Sequence, residues 1–321
     1  MGWRVDYLGI DVAKESLACE LLQDGASARK SFPNSRKGFV QLGKWLANRR
    51  ATSVHACLEA TGTYGEDVAE YLYDRGLQVS VINPSQIKSF GASLLLRTKT
   101  DAVDAALIAQ FCRAMDPPAW SPGSPEIRAF RALVRRRETL VGMIASEKNR
   151  LEAALDTKVI RSVTSTIAAL QSELAQLEQD IEDHVDRHPS IRDMVDRLDE
   201  IPGFGRLTAQ KVVAETNGFC LRAGPQALTA YAGLNPQLYQ SGKTLRRGRI
   251  SRIGNAALRK ALYYAALAAK NKSRHFRTFV ERLKLAGKRP KVIVVALMRK
   301  LLVLAYTLVT KDVRFDPAFA T

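Results

Sequence analysis

The stretch "YLGIDVAKESLACELLQ", residues 7–23, decides the fold class. Its halves, "YLGIDV" and "LACELLQ", are short apolar runs, and the charged Lys14 and Glu15 between them suit a turn, so two strands are predicted. Working outward, "GFVQLGKWLANR" has helical spacing and "SVHACLEA" reads as a strand. "GEDVAEYLYDRG" reads as a helix ending at Gly76, and "LQVSVINP" as a further strand. "TDAVDAALIAQFC" is then a helix with Thr100 as its N-cap. Strands first, then alternation with helices, predict an α/β layer fold with a mixed sheet over residues 1–118. The segment "MDPPAWSPGSPE", with four prolines in twelve residues, marks its end.

Residues 119–192 read as a helical linker and assembly region. From Ile160 the apolar positions Ile160, Val163, Ile167, Leu170, Leu174, Leu177 and Ile181 form a heptad seam. An intramolecular helical hairpin and a coiled coil between chains both satisfy it. Residues 193–321 read as mostly helical. Their long apolar run, "VIVVALMRKLLVLAYTLV", is interrupted by Arg299 and Lys300, which predicts a buried helix rather than a membrane span. The fold class expected is α/β plus all-α.

The 321 residues carry a net charge of +17, which favours a polyanionic partner. The charge is unevenly spread: residues 1–118 hold net +1, residues 119–200 net −3, and residues 201–321 net +19. The four cysteines lie far apart with no CxxC or Cys/His cluster, which argues against a zinc site or disulfide framework and suits a reducing cytosol. The amino-terminal "MGWRVDYLGID" does not read as a signal peptide.

Four acids stand out in the first region. Asp11 lies near the end of the first strand, Glu59 at the end of a later one, and Asp101 and Asp104 at i and i+3 on one helix face. Acids converging from two strands and a helix make an all-oxygen site suited to Mg²⁺, as one ion or two. Such a site activates an attacking oxygen and stabilises the leaving oxygen of a phosphodiester. The order D…E…DxxD across strand, strand and helix resembles the RNase H-like nuclease fold, in particular its RuvC-like branch. The first helical turn also favours a carboxylate at Asp101 without any metal.

The last region holds the polyanion-binding capacity. The loop "IPGFG", residues 201–205, looks like a helix-hairpin-helix connection, where Gly203 and Gly205 let the backbone approach a phosphate. Such contacts position nucleic acid without reading bases. Farther on, "YQSGKTLRRGRISRIGN", residues 239–255, contains Ser241 followed by Lys243, Arg246, Arg247, Arg249 and Arg252, and no acid. A serine nucleophile ordinarily needs a base, yet the only histidines, His55, His184, His188 and His275, are remote in sequence. A metal held by the first region's acids is an alternative activator, with the arginines stabilising phosphoryl charge.

Taken together and in order, "GIDVAK", "EATGTYG", "RTKTDAVDA", "IPGFG", "AGLNP", "SGK" and "ISRIGNAALRKAL" resemble the DEDD-type transposases of bacterial insertion sequences, the bridge-RNA-guided recombinases, over nearly the whole chain. The resemblance implies that Asp11, Glu59, Asp101 and Asp104 form a RuvC-like Mg²⁺ site. It implies that Ser241 forms a transient phosphoserine link to DNA. It further implies donor and target DNA and a structured noncoding guide RNA as partners, with sequence specificity delegated to pairing. It implies a homo-oligomer, dimer or tetramer, whose composite site joins the RuvC-like domain of one chain to the Ser-bearing domain of another. DNA invertases of the pilin-inversion type share these motifs. Two other readings stay open on the residues alone: a metal-dependent junction-resolving nuclease that uses water, and a nucleic-acid-binding protein without chemistry.

Overall fold

The computed structural model describes residues 5–59, 64–94, 101–220, 224–236, 239–241, 244–246, 250 and 254–317. Two compact units divide the chain, residues 1–122 and 123–321.

In the first unit β1 (Asp6–Val12), β2 (Ser16–Gln23) and β3 (Ala26–Pro33) run as an antiparallel meander. Asp24 and Gly25 close the second hairpin, with Gly25 at φ +71° where an L side chain is strained. After α1 (Arg36–Asn48), β4 (Val54–Glu59) pairs parallel to β1. After α2 (Glu66–Asp74), β5 (Gln78–Ile82) pairs parallel to β4. The sheet order is β3-β2-β1-β4-β5, five strands and mixed in direction, the mixing as expected. α3 (Pro84–Ser93) and α4 (Asp101–Met115) complete the unit. The expected cap of α4, Thr100, lies outside the described residues.

Strand periodicity sorts the two faces. Leu8, Ile10 and Val12 of β1, with Val54, Ala56 and Leu58 of β4, share one core with Phe39, Leu42, Trp45 and Leu46 of α1 and with Leu72 of α2. The alternate residues, Tyr7 and Cys57, pack with Ile87 of α3 and with Ile108, Phe111 and Cys112 of α4. Helices therefore cover both faces, and the inner strands are apolar on both sides.

The second unit opens with α5 (Pro125–Ala153) and α6 (Thr157–Arg187), two long helices packed on each other within the chain. Ser124 Oγ accepts from the Ile127 amide ahead of Pro125, and Asp156 Oδ1 caps α6 by accepting from Lys158 and Val159. The seam is buried at Ile167, Leu177 and Ile181 but opens toward the turn, where Ile160 is 36% and Leu155 95% exposed. α7 (Pro189–Asp199), α8 (Arg206–Glu215), α9 (Pro225–Tyr231), α10 (Ala256–Lys272), α11 (Arg277–Leu285) and α12 (Pro290–Thr310) follow. Between α9 and α10, β6 (Tyr239–Ser241) and β7 (Thr244–Arg246) form a two-stranded antiparallel ribbon. α12 is long and apolar enough to cross a membrane by length and composition, yet Ile293, Leu297, Leu301, Leu302, Ala305 and Leu308 are buried. They share one core with Phe130 and Leu140 of α5, Val185 of α6 and Leu262 of α10.

Candidate catalytic acids and the serine-bearing segment

The register of β1 and β4 positions the first two acids. Ile10 pairs with Leu58, so Asp11 and Glu59 each follow a paired residue on neighbouring parallel strands, about 4.8 Å apart. Both are half-buried. Asp11 lies two residues beyond Gly9, and Glu59 two beyond Cys57, so each shares the face that α4 covers.

Gly9 is what brings α4 there. A Cβ at Gly9 would collide with the carbonyl oxygen of Ala105 and the backbone nitrogen of Ala109. Only a glycine lets the helix backbone lie directly against β1. Asp104, half-buried, precedes Ala105 one turn into α4. Asp101 opens the same helix one turn earlier; its side chain lies outside the described residues. Asp11, Glu59 and Asp104 are thus gathered on one face at one end of the sheet. Their donors are all hard oxygens, the chemistry that Mg²⁺ prefers. Among the described residues no three His, Cys, Asp or Glu side chains close around a metal-sized space, so any metal centre here needs Asp101 or some movement of the acids.

Buried polar contacts brace the same face. Cys112 Sγ of α4 donates to the carbonyl of His55 at 3.5 Å, and His55 Nε2 lies 2.8 Å from Ser80 Oγ of β5. Ser80 Oγ in turn donates to the carbonyls of Pro117 and Pro118. The hydrogen bond from Cys57 pulls the Cys112 thiol down, against the opposing effect of burial. The Cys57 thiol is pushed up by the same hydrogen bond and by burial.

In the second unit, Ser241 is the last residue of β6 and pairs with Thr244 of β7, while Arg246 pairs with Tyr239. The side chains of Ser241 and Arg246, and the whole of Lys243, Arg247, Arg249 and Arg252, lie outside the described residues. The ribbon's base is drawn together by a bridge between Pro236 and Ile250. Each histidine has a structural neighbour. His55 meets Ser80, His184 Nε2 lies 2.9 Å from the Glu126 carbonyl, His188 Nδ1 lies 2.7 Å from the His184 carbonyl, and His275 packs edge-on to Phe315.

The "IPGFG" loop connects α7 to α8, between helices as expected. Its two glycines differ. Gly203 has φ +97°, and a Cβ there would lie 2.6 Å from the Ala265 carbonyl oxygen and 2.6 Å from the Ala269 Cβ. Its missing side chain is accounted for by the packing of α10. Gly205, the N-cap of α8, has open space where a Cβ would stand, so its end of the helix is approachable. Sequence reasoning overlooked Gly9 and the ribbon; a glycine two residues before a strand-end acid, and the "SGKT" turn between Tyr239 and Leu245, are the signals for each.

Comparison with known proteins gives a consistent result. One family model, described as Transposase, matches residues 8–160, and a second, described as Transposase IS116/IS110/IS902 family, matches residues 195–281. The pilin gene-inverting protein of Moraxella bovis is 31% identical over 314 residues, 97% of this chain and 97% of the relative. Its counterpart in Moraxella lacunata is 30% identical with the same coverage. The transposase for insertion sequence element IS1328 of Yersinia enterocolitica is 26% identical over 82% of this chain and 83% of the relative. Among solved structures, T. thermophilus RuvC in complex with Holliday junction substrate aligns at 14% identity with a TM-score of 0.27, covering 35% of this chain and 96% of that one.

Proposed function

From the premise that this chain belongs to the IS110/IS116/IS902 transposase family, we propose that it cuts and rejoins DNA through a serine-linked intermediate at a RuvC-like acidic site. What supports the acidic half is the register that puts Asp11 and Glu59 on the sheet face covered by α4, and the close approach to Gly9 of Ala105, the residue after Asp104. Asp11, Glu59, Asp104 and Asp101 would hold Mg²⁺, as one ion or two. When bound, the metal supplies Lewis acidity toward the phosphodiester and lowers the pKa of a nearby hydroxyl.

Ser241 is the nucleophile in this reading. Its Oγ forms a bond to phosphorus, the bond from phosphorus to one DNA oxygen breaks, and the serine proton leaves with that oxygen. A DNA hydroxyl from the recombining strand later attacks the phosphoserine, restoring Ser241 and the phosphodiester. No net phosphodiester is consumed. Arg246, Arg247, Arg249, Arg252 and Lys243 neutralise phosphates and stabilise charge on the phosphoryl oxygens. The open N-terminus of α8 at Gly205 offers amides to a further phosphate, with Gly203 setting the loop's packing. Donor and target DNA are the substrates, a structured noncoding RNA is the guide, and a homodimer or tetramer is the working assembly.

A second reading, site-specific DNA inversion, is favoured by the two pilin gene-inverting relatives, which align along nearly the whole chain. It uses the same chemistry on two sites in one DNA molecule.

The test is covalent trapping. Protein, Mg²⁺, the guide RNA and a labelled donor–target pair are incubated and resolved on a denaturing gel. Wild type yields a slow-migrating protein–DNA adduct, absent in Ser241→Ala and in Asp11→Ala. Strand cleavage that persists in Ser241→Ala without an adduct would assign the protein to hydrolytic nucleases instead. A supercoiled substrate carrying two inverted sites separates inversion from transposition by its restriction pattern.

A further inference from the structure

At the base of the serine-bearing segment a polar cluster around one buried carboxylate is left unused by the proposed chemistry. Glu215, the last residue of α8, is only 6% exposed. Its carboxylate accepts two hydrogen bonds from Arg135 of α5, at 3.1 and 3.2 Å. It accepts a third from Asn255 Nδ2 at 2.7 Å. A buried carboxylate satisfied by a bidentate arginine and an amide is a stiff joint, because removing one partner leaves an unpaired charge.

Asn255 is the hub of this joint. Its Oδ1 accepts from the Leu258 amide at 2.9 Å, capping α10, which fixes the amide orientation and aims Nδ2 at Glu215. Nδ2 also donates to Tyr231 OH at 3.1 Å, and that hydroxyl donates to the Glu215 carbonyl at 3.1 Å. The Asn255 amide donates to the Tyr231 carbonyl at 2.8 Å. Gly254, at φ +136°, lies so close to that carbonyl that a Cβ would overlap it. Arg259 Nη1 donates to the carbonyls of Ala232 and Gly254, at 3.0 and 3.1 Å.

Tyr231 ends α9 just before the segment, and Asn255 starts α10 just after it. One side-chain cluster therefore pins the entry and the exit of residues 232–254 to each other and to the α5–α8 framework. We propose that Glu215, Arg135, Tyr231 and Asn255 form a latch that positions Ser241 for strand transfer without touching DNA. These are positioning residues. The proposal rests on Ser241 being the nucleophile.

The test uses a donor–acceptor exchange across the latch. Asn255→Asp keeps a capping oxygen for α10 but loses the Nδ2 donor and sets two carboxylates against each other. The double variant Glu215→Gln/Asn255→Asp reverses the polarity of the 215–255 hydrogen bond and returns the pair to a single negative charge, while residue 215 keeps one oxygen for Arg135. Full-length protein is assayed for single-turnover adduct formation, for DNA affinity, and for amide hydrogen exchange over residues 232–256. Asn255→Asp is expected to slow adduct formation at least about tenfold, leave DNA affinity within about twofold, and speed exchange of the segment. The exchanged pair is expected to recover most of the rate and the protection. Wild-type rate and exchange in Asn255→Asp would overturn the latch, as would failure of the double variant to recover either property while folded. Ser241→Ala, run alongside, separates the two readings. Adduct formation surviving in Ser241→Ala overturns the nucleophile and with it the positioning role, whatever the exchange data show.

Discussion

Gly9 sets how close α4 can come to β1, and with it where Asp104 stands relative to Asp11 and Glu59. Gly9→Ala is expected to cost about 3 kcal/mol, the upper end for overpacking, since the colliding atoms are helix backbone and cannot rotate away. Urea unfolding followed in the first unit checks this, and adduct formation should fall further than the loss of folded protein explains. Gly203 and Gly205 make a matched pair. Gly203→Ala meets both a positive φ and the Ala265 carbonyl, so it should destabilise by about 2 kcal/mol or more. Gly205→Ala meets open space, so it should cost only the N-cap preference of glycine over alanine, about 1 kcal/mol; a large loss of DNA affinity there, read by fluorescence anisotropy, identifies the α8 N-terminus as a phosphate-binding point. The strand-end positions of Asp11 and Glu59 were legible in the sequence because they close apolar runs. The glycine that lets a helix close over them was not, because close approach depends on which helix crosses which strand.

At the scale of elements, the strands read from apolar runs are present where the runs stand: β1, β2, β4 and β5. β3 was illegible for a physical reason. It is the edge strand "ASARKSFP", with only Ala28 and Phe32 buried, and one wet face leaves little apolar pattern to see. The Asp24–Gly25 pair was its available signal. α3 was missed because "NPSQIKSFGAS" has few apolar positions, although Asn83 caps it and Pro84 occupies its first turn. The ribbon β6–β7 was hidden by its charge. The long helices were plain from their freedom from proline and glycine, yet their partner was not. α5 and α6 pack on each other, while the outer part of the seam stays exposed. Two outcomes separate these ends. Leu177→Asp, in the buried part, should lower stability by about 3 kcal/mol or more. Leu155→Asp with Ile160→Asp, in the exposed part, should leave melting unchanged and lower the molar mass by light scattering if the tip joins chains.

For the whole molecule, the segregation of charge divides labour along the chain: residues 201–321 hold net +19 and residues 1–118 only +1. Replacing Arg246 and Arg247 by Ala should weaken DNA binding and make the slope of log affinity against log salt shallower by about 2, roughly one unit for each phosphate no longer neutralised. An unchanged slope would remove both residues from the phosphate surface. The cores are equally segregated. Among the described residues, the sheet's two cores are built from residues 1–122 and the helical core from residues 123–321. Differential scanning calorimetry should therefore record two heat-absorption peaks rather than one, so that no single unfolding free energy describes the chain. Mg²⁺ should move only the peak of the acid-bearing half and a DNA duplex mainly the other, because a ligand raises the melting of whatever body it binds. A thermogram can thus report which half of the protein a given ligand holds, before any phosphodiester has been broken.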